Sequence, residues 1–165
     1  PIGFGDSIQR SKKFVGKDNF LLHAGDDIVI SQKNNHLKRL EKNFKKYNAD
    51  IACLIEEVDN PSQYGVVNGP ILEKGVLKIT EMKEKPKKPK TKFAIIAIYI
   101  FKPNIFNYLE KAKKKSISEQ QLAEAFNLAI KNKAQVIGVI LRENEKRIDI
   151  GTPEKYSQVL NSLNK

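Results

Sequence analysis

Tryptophan is missing from this 165-residue chain, and cysteine and methionine occur once each. A single thiol cannot form a disulfide within the chain. Cys53, set in Ile51-Ala-Cys-Leu-Ile55, has the surroundings of a buried structural thiol and not of a nucleophile. Histidine is nearly as scarce: neither His23 nor His36 has a second imidazole at metal-ligand spacing, so neither is assigned to a metal. His36, at the start of a helix, reads as a surface residue. No apolar run approaches the roughly 20 residues that cross a bilayer, and Pro1–Arg10 has neither the charged nor the apolar region of a signal peptide. The expected setting is soluble and cytoplasmic, with no membrane partner. Arginine is confined to Arg10, Arg39, Arg142 and Arg147, so the formal net charge of +11 is carried almost wholly by lysine. Such a charge implies anionic partners, but without tryptophan as a stacking platform, small phosphate-bearing ligands stand level with nucleic acid.

What is present is enough for one core: 40% of the residues are apolar, in a length typical of a single domain. The chain is organised around Asn19–Ile30. Phe20-Leu-Leu is a short buried strand, ended by Gly25 and followed at once by Asp26 and Asp27. In open parallel α/β sheets the ligand crevice lies at the carboxyl ends of strands, where a carboxylate can hold a cation. Gly-Asp-Asp is also common punctuation, a turn whose side chains bond nearby N–H groups, and on this stretch alone that reading is the favoured one.

In chain order, Asp6 is expected to cap a helix running to about Val15. After the strand at Asn19–Ala24, a second apolar triplet, Ile28–Ile30, leads to a helix over Asn35–Tyr47 with Leu37, Leu40, Phe44 and Tyr47 at helical spacing. A buried strand at Asp50–Glu56 completes a βαβ order, which predicts an α/β class with a parallel core. Tyr64–Val67 and Val76–Glu81 read as antiparallel edge strands, making a mixed, mostly parallel sheet flanked by helices. Met82–Lys92, with six lysines and two prolines, reads as a solvated basic loop pinned to Phe93–Phe101, the likeness of a central strand. Pro103 and Asn104 open a helix that buries Ile105, Phe106 and Leu109 and ends in Lys111–Lys115. Ser118 and Gln121 form a capping box for a helix carrying Leu122, Ala125, Phe126, Ala129 and Ile130 on one face. Strands follow at Val136–Leu141 and Arg147–Ile150. Thr152 and Pro153 then start a last helix with Tyr156, Val159, Leu160 and Leu163 inward. Asp149 is thus a second acidic strand tip, and two such carboxylates can share a Mg²⁺ that keeps the rest of its ligands as water and phosphate. Local bonding of Asp149 by the Gly-Thr-Pro turn is the alternative.

The order Pro1-Ile-Gly-Phe-Gly-Asp-Ser-Ile, Ala24-Gly-Asp-Asp-Ile, Tyr64-Gly-Val-Val, Glu84-Lys-Pro-Lys-Lys-Pro-Lys, Ile98-Tyr-Ile-Phe, Gln121-Leu-Ala-Glu-Ala and Asp149-Ile-Gly-Thr-Pro-Glu-Lys-Tyr resembles the sugar-1-phosphate nucleotidyltransferases. The likeness is strongest to the glucose-1-phosphate uridylyl- and thymidylyltransferases of archaeal type. It spans essentially the whole chain, and the motifs are specific through their common order. The resemblance implies a Rossmann-like α/β nucleotidyltransferase fold over residues 1–165 and a Mg²⁺-dependent attack of a sugar 1-phosphate on UTP or dTTP, releasing pyrophosphate. It implies Asp26 and Asp149 as metal carboxylates and Lys85 as the lysine that holds the sugar phosphate. Gly3 would meet the base, Gly65 the sugar, and Glu84 the sugar hydroxyls. Positioning and charge neutralisation carry most of such chemistry, so no covalent nucleophile is required.

Two departures accompany the resemblance. Ala97 stands where the family has a glycine, placing a methyl near the expected sugar. The family's N-terminal Gly-rich loop, with its Arg and Lys for the triphosphate, does not precede Pro1; the expectation is a catalytic domain incomplete at its N-terminus, and little turnover from a polypeptide beginning there. Two other readings compete: a nucleic-acid-binding module using Lys83–Lys92, and a regulatory domain that keeps the fold without catalysis. The base, the sugar and the oligomeric state stay open, a homo-oligomer among the options.

Overall fold

The apolar runs become the middle of a sheet with helices on both faces. A computed structural model describes residues 3–113 and 120–163. The elements are α1 (Phe4–Arg10), α2 (Lys12–Val15), β1 (Phe20–His23), β2 (Asp27–Ile30), α3 (Asn35–Lys46), β3 (Ile51–Glu57), β4 (Gly65–Asn68), β5 (Ile71–Glu73), β6 (Val76–Lys78), β7 (Glu81–Glu84), β8 (Phe93–Phe101), α4 (Ile105–Lys113), α5 (Gln120–Lys131), β9 (Val136–Ile140), β10 (Lys146–Asp149) and α6 (Pro153–Leu163). The main sheet runs β5-β6-β9-β3-β8-β4-β7 with β1 also on β8, while β2 and β10 form a separate ribbon.

β8 is central, as its composition predicts. β3 pairs along one edge, and β1 and β4 share the other. Alternation along the strands then divides the core. Ile51, Cys53 and Ile55 of β3, with Tyr99 and Phe101 of β8, pack on Phe106 of α4 and Phe126 of α5. Ala52, Leu54, Ile96, Ile98 and Ile100 face Leu40 and Phe44 of α3 on the opposite side. Burial of each large apolar side chain contributes about 1.5–3 kcal/mol. Cys53 lies fully buried, and burial pushes its thiol pKa up, as suits a structural role.

The mixed α/β sheet is as expected, but its balance is not: among the described strands only β3 and β9 pair in parallel. β1 and β3 do run in the same direction, in βαβ order. β8 lies between them and antiparallel to both, because its nine-residue apolar run is satisfied only where both faces and both edges are covered.

Other expectations are corrected locally. Gly3 (φ 130°), not Asp6, precedes α1 as its N-cap. Asp6 is buried inside the helix, accepting from Arg10 Nε at 3.1 Å and Lys113 Nζ at 3.0 Å, and so ties α1 to α4. His36 is buried, with Nδ1 2.6 Å from Ser31 Oγ, and burial pushes its pKa down. Met82–Glu84 belongs to β7 and not to a loop; Asn127 of α5 donates to the Met82 carbonyl at 2.8 Å and accepts from its N–H at 3.0 Å. Tyr156 and Leu160 are half-exposed; among the described residues α6 makes its main contact with β10. Ser118 of the expected capping box, with Lys114 and Lys115 of the preceding helix end, lies outside the described residues. No helix among the described residues is long and apolar enough to cross a membrane.

Candidate functional site

β1 ends at the edge of the sheet, where the Ala24 N–H donates to the Ala97 carbonyl at 2.9 Å. A turn through Gly25 and Asp26 then feeds β2, which pairs antiparallel with β10 so that Asp27 stands opposite Asp149. One residue beyond, the Ile150 N–H donates to the Asp26 carbonyl at 2.9 Å. The ribbon therefore carries two carboxylates from distant parts of the sequence to one place. A Cβ on Gly151 would lie 3.2 Å from both Asp26 Oδ2 and Asp149 Oδ1, so these oxygens are separated by no more than twice that distance. Only a residue without a side chain leaves the space between them open.

Asp26 borders two cavities. The first, about 300 Å³, is also lined by Gly65, Glu84, Lys85, Ala97 and Tyr99. Gly65 of β4 pairs with Glu84 of β7, and a Cβ on Gly65 would meet Glu84 Oε2 at 2.9 Å. The glycine is thus what lets the carboxylate lie across the strand. Lys85 follows with φ 39°, a left-handed conformation that costs a non-glycine residue energy and is held here by its N–H bond to the Tyr64 carbonyl at 3.1 Å. Its Nζ is 3.9 Å from Glu84 Oε1. Gly3 does not line this cavity, but its neighbour Phe4 does.

The second cavity, about 240 Å³, is lined by Asp26, Asp149, Tyr64, Arg147 and Lys155 among others. Sequence reasoning missed the last three of these. Arg147 donates from Nε to Asp27 Oδ1 at 2.6 Å and from Nη2 to Asp27 Oδ2 at 2.9 Å, and its guanidinium lies 5.0 Å over the Tyr64 ring. Asp27 also accepts from the Ala97 N–H at 2.9 Å, which fixes the ribbon to β8 and gives Asp27 a structural role. Glu56 Oε2 stands 3.6 Å from Arg147; burial pushes the Glu56 pKa up, against the pull of the guanidinium. Arg147 could have been noticed as the one arginine two residues before Asp149, a spacing that puts both on one strand face. Lys155 pairs with Asp149 Oδ2, and the Gly151 N–H donates to Asp149 Oδ1 at 3.0 Å. Burial raises the Asp149 pKa, but these two partners outweigh it and hold the carboxyl below its ordinary range.

Of the residues singled out from sequence, Asp26, Gly65, Glu84 and Lys85 meet at one cavity, and Asp26 and Asp149 at the other; Gly3 stays apart. Among the described residues no group of three or more His, Cys, Asp or Glu could hold a metal. Two hard carboxylates around one open point nonetheless suit Mg²⁺, which takes one or two protein carboxylates and completes its shell with water and phosphate. A larger cavity of about 900 Å³, lined by Arg39, Lys42, Lys46, Lys74 and Arg142 among others, lies between α3 and the 140–144 loop and contains none of these residues.

Known proteins share this arrangement of elements. Over 160 residues the chain is 34% identical to a Bacillus subtilis (strain 168) protein provisionally named UTP–glucose-1-phosphate uridylyltransferase, a match covering 96% of this chain and 58% of that protein. A Mycoplasma genitalium UTP–glucose-1-phosphate uridylyltransferase is 33% identical over 136 residues, covering 79% of this chain and 46% of that one. The chain therefore spans about half the length of these relatives. A UDP-glucose pyrophosphorylase crystallised with UDP-glucose superposes with a TM-score of 0.86 at 30% identity, covering 99% of this chain and 62% of that structure. The nucleotidyl transferase profile matches residues 1–165, and with it the chain belongs to the nucleotidyl transferase family.

Proposed function

We propose that this chain is the part of a sugar-1-phosphate nucleotidyltransferase catalytic domain that holds the sugar phosphate and the catalytic metal. The whole protein would transfer a nucleotidyl group from UTP or dTTP to a sugar 1-phosphate, glucose 1-phosphate first among candidates, releasing pyrophosphate in the cytoplasm. The observation that carries the reading is that Asp26 borders both cavities, one with Gly65, Glu84 and Lys85 and the other with Asp149. A sugar phosphate in the first would present its oxygen beside the carboxylates that border the second.

Each residue has a role under this reading. Glu84, laid across Gly65, accepts hydrogen bonds from sugar hydroxyls. Lys85 holds the sugar phosphate as a point charge. Gly3, whose positive φ suits a residue without a side chain, meets the base. Asp26 and Asp149 would hold Mg²⁺, which supplies neutralisation of charge developing on the α-phosphate. Ala97, at the boundary of the two cavities, sets the width of the sugar's approach.

The test is pyrophosphate release by the full-length protein from glucose 1-phosphate with UTP or dTTP in the presence of Mg²⁺. Asp26→Ala and Asp149→Ala are each expected to lower kcat by about 100-fold or more, the scale seen when one electrostatic contributor to a transition state is removed. Undiminished turnover in both variants would sink the assignment of the site.

A further inference from the structure

The two carboxylates differ in a way that the proposed function does not use. Among the described residues, no hydrogen bond or ion pair reaches the Asp26 side chain. Asp149 is occupied on both oxygens, by the Gly151 N–H and by Lys155. Six residues along the chain, Lys155 lies in the first turn of α6, where its N–H donates to the Thr152 hydroxyl at 3.3 Å. The lysine is tethered at its backbone and partly solvated along its side chain, which is 38% exposed, and its Asp149-bound Nζ is 5.9 Å from the Tyr64 ring centroid, at the wall of the same cavity. A lysine ammonium on four methylenes can exchange one anion for another within its reach without any movement of the helix.

We propose that Lys155 is an exchangeable counter-ion: it neutralises Asp149 while no divalent cation is present, and when one binds it yields the carboxylate and moves to the phosphates of the nucleotide. The inference rests on the proposed reading of Asp26 and Asp149 as metal carboxylates. Without the lysine, two carboxylates around Gly151 would repel each other before the metal arrives. With the metal in place, the released ammonium adds a positive charge on the phosphate side of the cavity, where charge-assisted hydrogen bonds are strongest. No covalent step is involved.

The position predicts opposite effects on two affinities, larger than the removal of one solvent-screened charge alone would produce. In full-length protein, Lys155→Met removes the competitor for Asp149, so Mn²⁺ alone, titrated by electron paramagnetic resonance, should bind roughly 2- to 10-fold more tightly. At saturating Mn²⁺ the same variant should bind UDP-glucose or dTDP-glucose, whichever the wild type prefers, about 10-fold or more weakly. Lys155→Arg should leave Mn²⁺ binding near the wild-type value and restore part of the nucleotide-sugar affinity. The inference is overturned if both affinities fall together, if neither moves, or if the wild type binds no Mn²⁺ or neither nucleotide sugar. Turnover by the wild type without the split defeats this inference alone, whereas the split without turnover supports it and defeats the proposed activity.

Discussion

Two of the ion pairs on the β2–β10 ribbon lie a few residues apart and are built for different ends. Arg147–Asp27 is bidentate, its side chains only 10% and 6% exposed, stacked on Tyr64 and backed by the Ala97 N–H. Lys155–Asp149 joins a single ammonium to one carboxylate oxygen, with side chains 38% and 25% exposed. The first cannot be exchanged without leaving a charge stranded in the protein, and so it acts as a clamp. The second has water at hand for both partners and can be exchanged. A site that must hold carboxylates in place and yet release them to a ligand needs one pair of each kind, and here the fixed pair locates the exchangeable one.

The contrast breaks most sharply at the clamp. Arg147→Met strands Asp27, and loss of one member of a buried pair costs about 3–5 kcal/mol. At about 2–4 °C per kcal/mol for a chain of this length, the thermal midpoint followed by circular dichroism should fall on the order of 10 °C. A fall of under about 2 °C would show that the pair holds nothing in place. Gly151→Ala attacks the space between the carboxylates directly, since its methyl would stand 3.2 Å from both. Mn²⁺ affinity should drop about 10-fold, as for other changes that misorient metal ligands, with a much smaller loss of stability than in Arg147→Met. Unaltered affinity would mean that the two side chains bind no common ion.

The smallest effect belongs to the exchangeable pair. Lys155→Met should cost under about 1 kcal/mol near neutral pH, the range of partly exposed ion pairs. The sign of its pH dependence follows from Asp149. Burial would raise this pKa, but Lys155 and the Gly151 N–H outweigh it, so the folded carboxyl titrates below its unfolded counterpart. The stabilisation is therefore present above the ordinary carboxylate range and lost as pH falls through the folded pKa. In urea melts the difference between wild type and variant should be visible at about pH 6 and shrink steadily as the pH is taken down through and below the ordinary carboxylate range. A difference that grows on acidification would contradict the pairing.

Much of this site was legible in the residues because it is built from short motifs at strand ends. Gly25-Asp26-Asp27, Glu84-Lys85-Pro86 and Asp149-Ile-Gly-Thr-Pro each set charged residues beside a glycine or proline that ends a strand. The clamp was not legible as a pair, because its partners are 120 residues apart: local spacing can mark Arg147 and Asp27 singly but does not say that they meet. The same limit explains His36, read as a surface residue until Ser31 and the surrounding packing enclosed it, and Tyr156 and Leu160, whose helical spacing is correct but whose expected cover is not provided by the sheet.

The sequence by itself determined the elements and their chemistry: the βαβ order of β1, α3 and β3, the central place of β8, the helical faces of α3 and α5, and acidic residues at two strand tips. These follow from periodicity, turn residues and burial of apolar runs, all of which act over a few residues. Only the tertiary structure decided that β8 enters antiparallel between β1 and β3, that Arg147 selects Asp27, and that Asp26 and Asp149 face one another across Gly151. Those choices depend on which edges, faces and charges remain unsatisfied once the local elements exist, and no local pattern of residues encodes that remainder.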